Sequence, residues 1–184
     1  MHFLSLLAVA SPATAELYFS ISTFSPRTQV NGLQVHAADK GFHTGLSGPS
    51  TKCPLTNPSA CPPVLGTLVV RKMGRMAAMV PGGQGIYVQA DGQVKFEMAH
   101  SHIIPPGAVS GCWQDETADE FGNVVINFND GNGRRGLVLC YNDDSKSSAT
   151  LYAKTEGSKL GSCTDIVGLN LTDAGSAVGC WQYE

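Results

Sequence analysis

The sequence predicts an all-β fold, an antiparallel β-sandwich or barrel-like body of about ten short strands. Short segments in which apolar and polar residues alternate recur along the chain, as is typical of half-buried strands. The 21 glycines and 10 prolines among the 184 residues interrupt almost every long helical window. Six cysteines add the expectation that disulfide bonds staple this body.

Residues 1–15 have the pattern of a secretory signal peptide. The apolar run of residues 3–10 is followed by the small-residue triplet Ala13-Thr14-Ala15. Such a run is too short to cross a bilayer about 30 Å thick. The alternative is a buried N-terminal strand. We predict cleavage after Ala15 and a single β domain over residues 16–184.

The clearest predicted element is a hairpin in which Asp91-Gly92 joins the alternating residues 86–90 to residues 93–98. An Asp-Gly pair between two such runs indicates a tight turn with positive φ at both central positions. The other predicted strands cover residues 19–23, 33–37, 65–70, 149–153 and 177–183.

A second hairpin is predicted for residues 124–128 and 136–141 around the polar turn 129–135. Residues 73–80 are ambiguous, because the spacing of Met73 and Met76 fits a short helix whereas Gly74 weakens it.

All six cysteines follow the predicted signal peptide, and an even number in a secreted chain implies disulfide bonds. Six cysteines allow 15 connectivities, among which sequence alone does not decide. Local context favours three pairs: two cysteines bracket a proline-rich loop, two flank a polar insertion, and two share the surroundings Gly-Cys-Trp-Gln. The predicted bonds are Cys53–Cys61, Cys140–Cys163 and Cys112–Cys180.

Charge and motifs exclude several classes of function. The chain carries 12 basic and 15 acidic residues, so no positive excess exists to bind nucleic acid. No second hydrophobic segment follows residues 3–10, so the sequence does not predict a membrane anchor. No nucleophile signature such as G-x-S-x-G appears, and we expect neither an enzyme nor a cofactor. The glycine-rich residues 81–85 precede a strand, which favours a tight turn over a phosphate loop.

Two clusters of polar residues are candidates for chemical sites. His100 and His102 continue the phase of the preceding strand and would share one face, with His36 or His43 as further metal ligands. Structural histidines are more common than such ligands, so we expect no metal. The acidic residues 115–120 favour a solvated loop over catalytic carboxylates or a calcium site.

Aromatic and glycosylation candidates concern the C-terminal half. If the sulfurs of Cys112 and Cys180 point inward, strand alternation places the adjacent tryptophans outside. This arrangement predicts an aromatic platform for carbohydrate, formed by Trp113, Trp181 and Tyr183. The alternative is packing of the tryptophans against the bond. Asn170-Leu171-Thr172 is a glycosylation sequon, so Asn170 is predicted to carry a glycan.

The run of residues 80–88, with Phe96, Ala99-His100-Ser101 and residues 104–108, resembles a family of small secreted fungal proteins. Its members are described as phialide-associated cell wall proteins or as IgE-binding, allergen-like proteins. Residues 19–45 and the Cys53-Pro54 and Cys61-Pro62 region are also similar. The resemblance implies secretion, residence in the wall and no established catalysis. Cys140 and Cys163 match a cysteine pair of this family, whereas Cys112 and Cys180 are an addition.

The sequence therefore predicts a secreted, noncatalytic, wall-associated structural or adhesion protein whose partner is wall polysaccharide. Two alternatives stay open: a secreted effector or elicitor that binds a host protein, and a carbohydrate-binding module. A hydrolase or metal-dependent enzyme is the weaker third class.

Overall fold

The computed structural model describes residues 16–142, 146–158 and 160–184, so the predicted signal peptide lies outside the described residues. The described chain is almost entirely β structure, with three one-turn 3-10 helices at Thr28–Val30, Pro58–Ala60 and Arg71–Met73. The all-β prediction is confirmed. The strands are β1 (Tyr18–Phe24), β2 (His36–Ala38), β3 (Gly41–Thr44), β4 (Thr51–Lys52), β5 (Leu68–Val70), β6 (Ile86–Val88), β7 (Val94–Phe96), β8 (Val109–Ser110), β9 (Trp113–Thr117), β10 (Val124–Phe128), β11 (Leu137–Tyr141), β12 (Ala149–Ala153), β13 (Cys163–Ile166), β14 (Gly168–Asp173) and β15 (Gln182–Tyr183).

Two large antiparallel sheets organise these strands. One has the order β5-β1-β14-β10-β9, and the other has the order β13-β11-β12-β3-β7-β6-β8, with β2 paired to β3. The larger sheet curls into a half-barrel. The short strands β15 and β4 form a separate pair near the C-terminus. None of the helices in the described ranges is long and apolar enough to cross a membrane.

One hydrophobic cluster joins the inner faces of both sheets. In β1 the side chain of Ile21 is buried, and its partner across β14 is Leu171, which packs against the same cluster. Phe42 and Phe96 from the half-barrel meet edge to face with ring centroids 5.7 Å apart. Alternating apolar residues thus form a core between the sheets, as the periodicity predicted.

The Asp91-Gly92 hairpin is present as β6 and β7, but its turn differs from the predicted one. Gly92 donates its N–H to the carbonyl of Gln89, and Gly92 has a positive φ of 92° whereas Asp91 does not. The loop therefore has three residues, with the glycine in the left-handed position after the turn. A side chain at Gly92 would also collide with the carbonyl of Ala153, so both the positive φ and the close contact require glycine here.

The prediction of a second hairpin is correct for the turn at residues 129–135 and wrong for the pairing of its two strands. A bridge between Asn129 and Arg135 and a hydrogen bond from Gly136 N to Phe128 O close the turn, but β10 and β11 then enter different sheets. Gly136 has a φ of 111°, a backbone conformation that redirects the chain. β10 pairs instead with β9, and β11 pairs with β12 and β13.

The ambiguous segment 73–80 is not a helix. Lys72 and Met73 have positive φ values of 62° and 47°, which end the 3-10 turn after one step. Met73 and Met76 are fully buried, and Met76 bridges to Val69 of β5. Burial of two large side chains outweighs the helical spacing here.

A buried pairing between Gln84 and Tyr183 holds the C-terminus inside the fold. The Gln84 side chain accepts from Tyr183 N at 2.8 Å and donates to the carbonyls of Tyr183 and Glu97, each at 2.9 Å. The Tyr183 hydroxyl donates to Gly66 O at 2.8 Å and accepts from Leu68 N at 3.0 Å. These bonds satisfy polar groups that burial would otherwise leave unpaired.

Two of the three predicted disulfide bonds are formed, Cys53–Cys61 and Cys140–Cys163. The third pairing is corrected, because Cys112 and Cys180 are both free thiols. Cys112 precedes β9, and its sulfur lies 3.6 Å from the Ser110 carbonyl. Cys180 is buried, and its backbone forms an isolated parallel β-bridge with Ala78. The shared Gly-Cys-Trp-Gln surroundings did not reflect a shared location.

We expect Tyr183→Phe to lower the free energy of unfolding by about 2 kcal/mol, because it leaves the buried Leu68 N–H without its acceptor. Urea denaturation measures this loss. Tyr18→Phe is the matched control, since the Tyr18 hydroxyl has no hydrogen bond among the described residues. Equal stability of the two variants would contradict a structural role of the Tyr183 hydroxyl.

Candidate functional site

Two open clefts on the half-barrel sheet are lined by ionisable and hydroxyl side chains. The first, called the Glu97 cleft, has a volume of about 400 Å³. It lies where the glycine-rich turn 81–85 meets the loop that follows β7. The Glu97 cleft is lined by Gly74, Arg75, Gly82, Gln84, Gly85, Ile86, Tyr87, Glu97, His102, Ile104 and Ser110.

The glycine-rich turn makes room for two functional side chains. A side-chain carbon at Gly85 would come within 3.0 Å of the Glu97 carboxylate, and one at Gly82 would lie 3.4 Å from His102 Nε2. Gly82 also has a positive φ of 86°. Because both positions lack side chains, the carboxylate and the imidazole can lie against the turn.

Glu97 is the best-placed ionisable group of this cleft. Its side chain is 12% exposed, its Oε2 accepts from Gly85 N at 3.1 Å, and His102 Nδ1 lies 3.5 Å away. Burial raises the pKa of the neighbouring Tyr87 hydroxyl, and the Glu97 charge raises it further. Arg75 pairs with Glu16 at 2.5 Å, so its charge is already matched. The cleft thus offers a carboxylate without a full ion pair.

The second cleft, called the tyrosine cleft, has a volume of about 490 Å³. Its floor includes the Cys140–Cys163 bond, which links directly opposed residues of β11 and β13 with Cα atoms 4.0 Å apart. Tyr141 and Tyr152, both partly exposed, line it together with Asp91 and residues 160–162. Burial, and then the charge of Asp91, raises the pKa of the Tyr152 hydroxyl.

The predicted aromatic platform of Trp113, Trp181 and Tyr183 is wrong. Trp113 is 4% exposed and packs edge-on against Phe128, and Tyr183 is 2% exposed and packs edge-on against Phe96. Only Trp181 is partly exposed, with its Nε1 buried and unpaired among the described residues. The prediction failed because it assumed that both sulfurs point inward; in β9 the tryptophan does instead.

The histidines do not form the predicted pair on one strand face. β7 ends at Phe96, and His100 has a positive φ of 62° in the loop beyond it. His36 and His43 oppose each other on β2 and β3, where His43 contacts Ala38 O and the Thr150 hydroxyl through its two nitrogens. The described residues contain no group of three or more side chains able to hold a metal ion.

Three of the four acidic residues in the segment 115–120 have structural partners. Asp115 pairs with Arg71 at 3.7 Å, and Glu116 accepts from the Asn127 amide at 3.0 Å. Asp119 accepts from the side chain and backbone of Asn123, and the side-chain bond is the main reason that its pKa is lowered. Neighbouring residues of a strand point to opposite faces, so Asp115 and Glu116 do not form a catalytic pair.

Asn170 lies on β14 between two residues that pack in the core, Leu169 and Leu171. Its side chain therefore points to the outer face of the five-stranded sheet, where it is partly exposed. Glycosylation of Asn170 stays a prediction.

Comparison with known proteins places the chain in a family. It is 32% identical over 189 residues to an uncharacterized secreted protein of Arthroderma benhamiae, an alignment that covers 98% of this chain and 94% of the relative. No family model and no solved structure matches. The chain belongs to the same family as this secreted fungal protein, and secretion agrees with its two disulfide bonds.

Sequence reasoning singled out His102 and the Cys140–Cys163 bond, but it missed Glu97, Tyr141 and Tyr152 as lining residues of the clefts. Tyr141 and Tyr152 occur in segments recognised as strands, but nothing local shows that they meet beside the disulfide bond. Glu97 did carry a usable signal. It follows an alternating run and precedes a histidine-containing loop, and such polar residues at strand ends often line sites.

The two free thiols generate a prediction about reactivity. Cys180 is 1% exposed, and burial raises its pKa to about 12, while burial also raises the pKa of Cys112. We expect two thiols per unfolded chain with Ellman's reagent, and in the native protein slow reaction of Cys112 alone. Cys112→Ser should abolish the native reaction. An unfolded chain without free thiols would show that Cys112 and Cys180 are bonded.

Proposed function

We propose that this secreted protein is a noncatalytic, wall-associated adhesion protein that holds wall polysaccharide in the tyrosine cleft. The wall location and the allergen-like class come from the sequence resemblance described above. The observation that supports polysaccharide contact is the cleft itself, in which partly exposed tyrosines lie beside a carboxylate.

The composition of the tyrosine cleft suits a neutral sugar. Aromatic rings pack against the apolar face of a pyranose, while a carboxylate accepts bonds from its hydroxyls. Lys146 Nζ lies 5.4 Å from the Tyr141 ring centroid and occupies one side of that ring. Tyr152 is therefore the better stacking residue.

Rigidity is the second property that favours this cleft. The Cys140–Cys163 bond joins β11 to β13, and the Asp91 carboxylate is held by a bond from Gln93 N at 3.0 Å. Preorganised groups lose less conformational entropy when a ligand binds. A cleft of this kind attaches a polymer without any chemical step.

We expect Tyr152→Ala to reduce retention on insoluble β-glucan or chitin at least tenfold, which corresponds to about 1.4 kcal/mol or more, because it removes the stacking surface. Pull-down of the mature protein measures the effect. Tyr18→Ala, which truncates a partly exposed tyrosine of β1, is the matched control. Thermal unfolding of both variants checks that the fold persists.

Two results would count against the proposal. Failure of the unaltered protein to bind either polymer would remove wall attachment, and full binding by Tyr152→Ala would remove the tyrosine cleft from it.

A second candidate function is binding to a host protein, favoured by Phe121. This side chain is 84% exposed at the tip of the β9–β10 hairpin, where Asp119 Oδ1 accepts from the N–H groups of Phe121 and Asn123. A rigid turn that presents an apolar side chain suits a protein contact. Loss of binding to host extracts in Phe121→Ala, with polymer retention unchanged, would favour this function.

A further inference from the structure

The Glu97 cleft has a hydrogen-bonding capacity that the fold does not use. An ionised carboxylate has about four acceptor positions. Among the described residues, the Glu97 carboxylate accepts one backbone bond, from Gly85 N at 3.1 Å, and has His102 Nδ1 at 3.5 Å. A side chain that is only 12% exposed gains little from bulk water, so a ligand in this cleft would have to supply donors.

The charges around the cleft select the kind of donor. Arg75 is paired with Glu16 at 2.5 Å, and His102 is charged only if protonated. Lys95 lies opposite Tyr87 on β7, but it does not line the cleft. Among the described residues, the Glu97 carboxylate therefore has no ion pair with a lysine or arginine, and it can attract a cation.

The loop of residues 98–108 contributes His102 and Ile104 to the lining of the cleft. Its backbone bonds, such as Ser101 N to Met98 O and Ala108 N to Pro105 O, are internal. Among the described residues, the contact between His102 and Glu97 is the polar tie from this loop to the cleft wall. Because the His102 side chain is 72% exposed, a competing donor can take its place beside Glu97 without opening the core.

We propose that the Glu97 cleft binds the primary ammonium group of an amino sugar, with the ammonium donating to the Glu97 carboxylate. Tyr87 and Ser110 line the same cleft and provide hydroxyl groups within it for the hydroxyls of the sugar ring. The choice of an amino sugar over other amines rests on the proposed attachment to wall polysaccharide. The site itself rests on Glu97.

The proposal separates two polymers that differ in one group. A glucosamine oligomer carries ammonium groups, whereas its N-acetylated counterpart carries neutral amides. The N-acetyl group removes the charge that the Glu97 carboxylate attracts. The tyrosine cleft also contains a carboxylate, Asp91, but Asp91 is exposed to solvent that screens its charge, so we expect the preference to depend on Glu97.

The experiment is calorimetric titration of the mature protein with glucosamine tetramer and with N-acetylglucosamine tetramer at low salt. We expect the first to bind at least tenfold more tightly, and Glu97→Gln to abolish this preference. Glu120→Gln is the matched control, because it removes the same charge from an exposed residue of the acidic turn. Retention on neutral β-glucan should be unchanged in Glu97→Gln.

Three results would overturn the proposal: equal affinity of the unaltered protein for both tetramers, a preference that survives in Glu97→Gln, or an equal loss in Glu120→Gln. If Glu97→Gln fails to fold, free glucosamine must still compete with the tetramer on the unaltered protein, and N-acetylglucosamine must not. Failure of β-glucan retention with an intact amine preference would refute the tyrosine cleft and leave the Glu97 site standing.

Discussion

The pairing of the Gln84 amide with the backbone of Tyr183 is the interaction on which the rest of the structure depends. A fully buried glutamine bonds both the N–H and the C=O of a residue 99 positions later, and also the carbonyl of Glu97. The amide therefore joins the glycine-rich turn, the end of β7 and the C-terminal strand. Without these bonds, several backbone groups would be buried unpaired, which is among the costliest defects of a protein interior.

The two clefts follow from this arrangement in different ways. The Glu97 cleft lies beside the hydrogen bonds of Gln84, because the turn that contains Gln84 also contains Gly82 and Gly85. The tyrosine cleft lies at the other edge of the half-barrel sheet and rests on the Cys140–Cys163 bond. A disulfide bond and a buried amide thus stabilise opposite ends of one sheet. Both clefts stand on rigid strands, and their rims are loops.

Much of the fold could be predicted because its signals are local. Alternation in residues 19–23 and 86–98 predicted β1, β6 and β7, and the cysteines that flank short insertions predicted two bonds that the structure contains. The failures concern partners that are distant in sequence. β10 and β11 flank a turn that the sequence predicted, yet they belong to different sheets. The cysteines of the two Gly-Cys-Trp-Gln segments do not form a disulfide bond.

By itself the sequence determined the β class, the strand periodicity and the short-range disulfide bonds, because each depends on residues within one or two dozen positions. Only the tertiary structure decided which faces are covered. It buried Trp113 and Tyr183, left Tyr152 partly exposed, and placed Glu97 against a glycine turn. The physical reason is that burial depends on how two curved sheets pack, and periodicity specifies two faces of a strand without specifying what lies over each one.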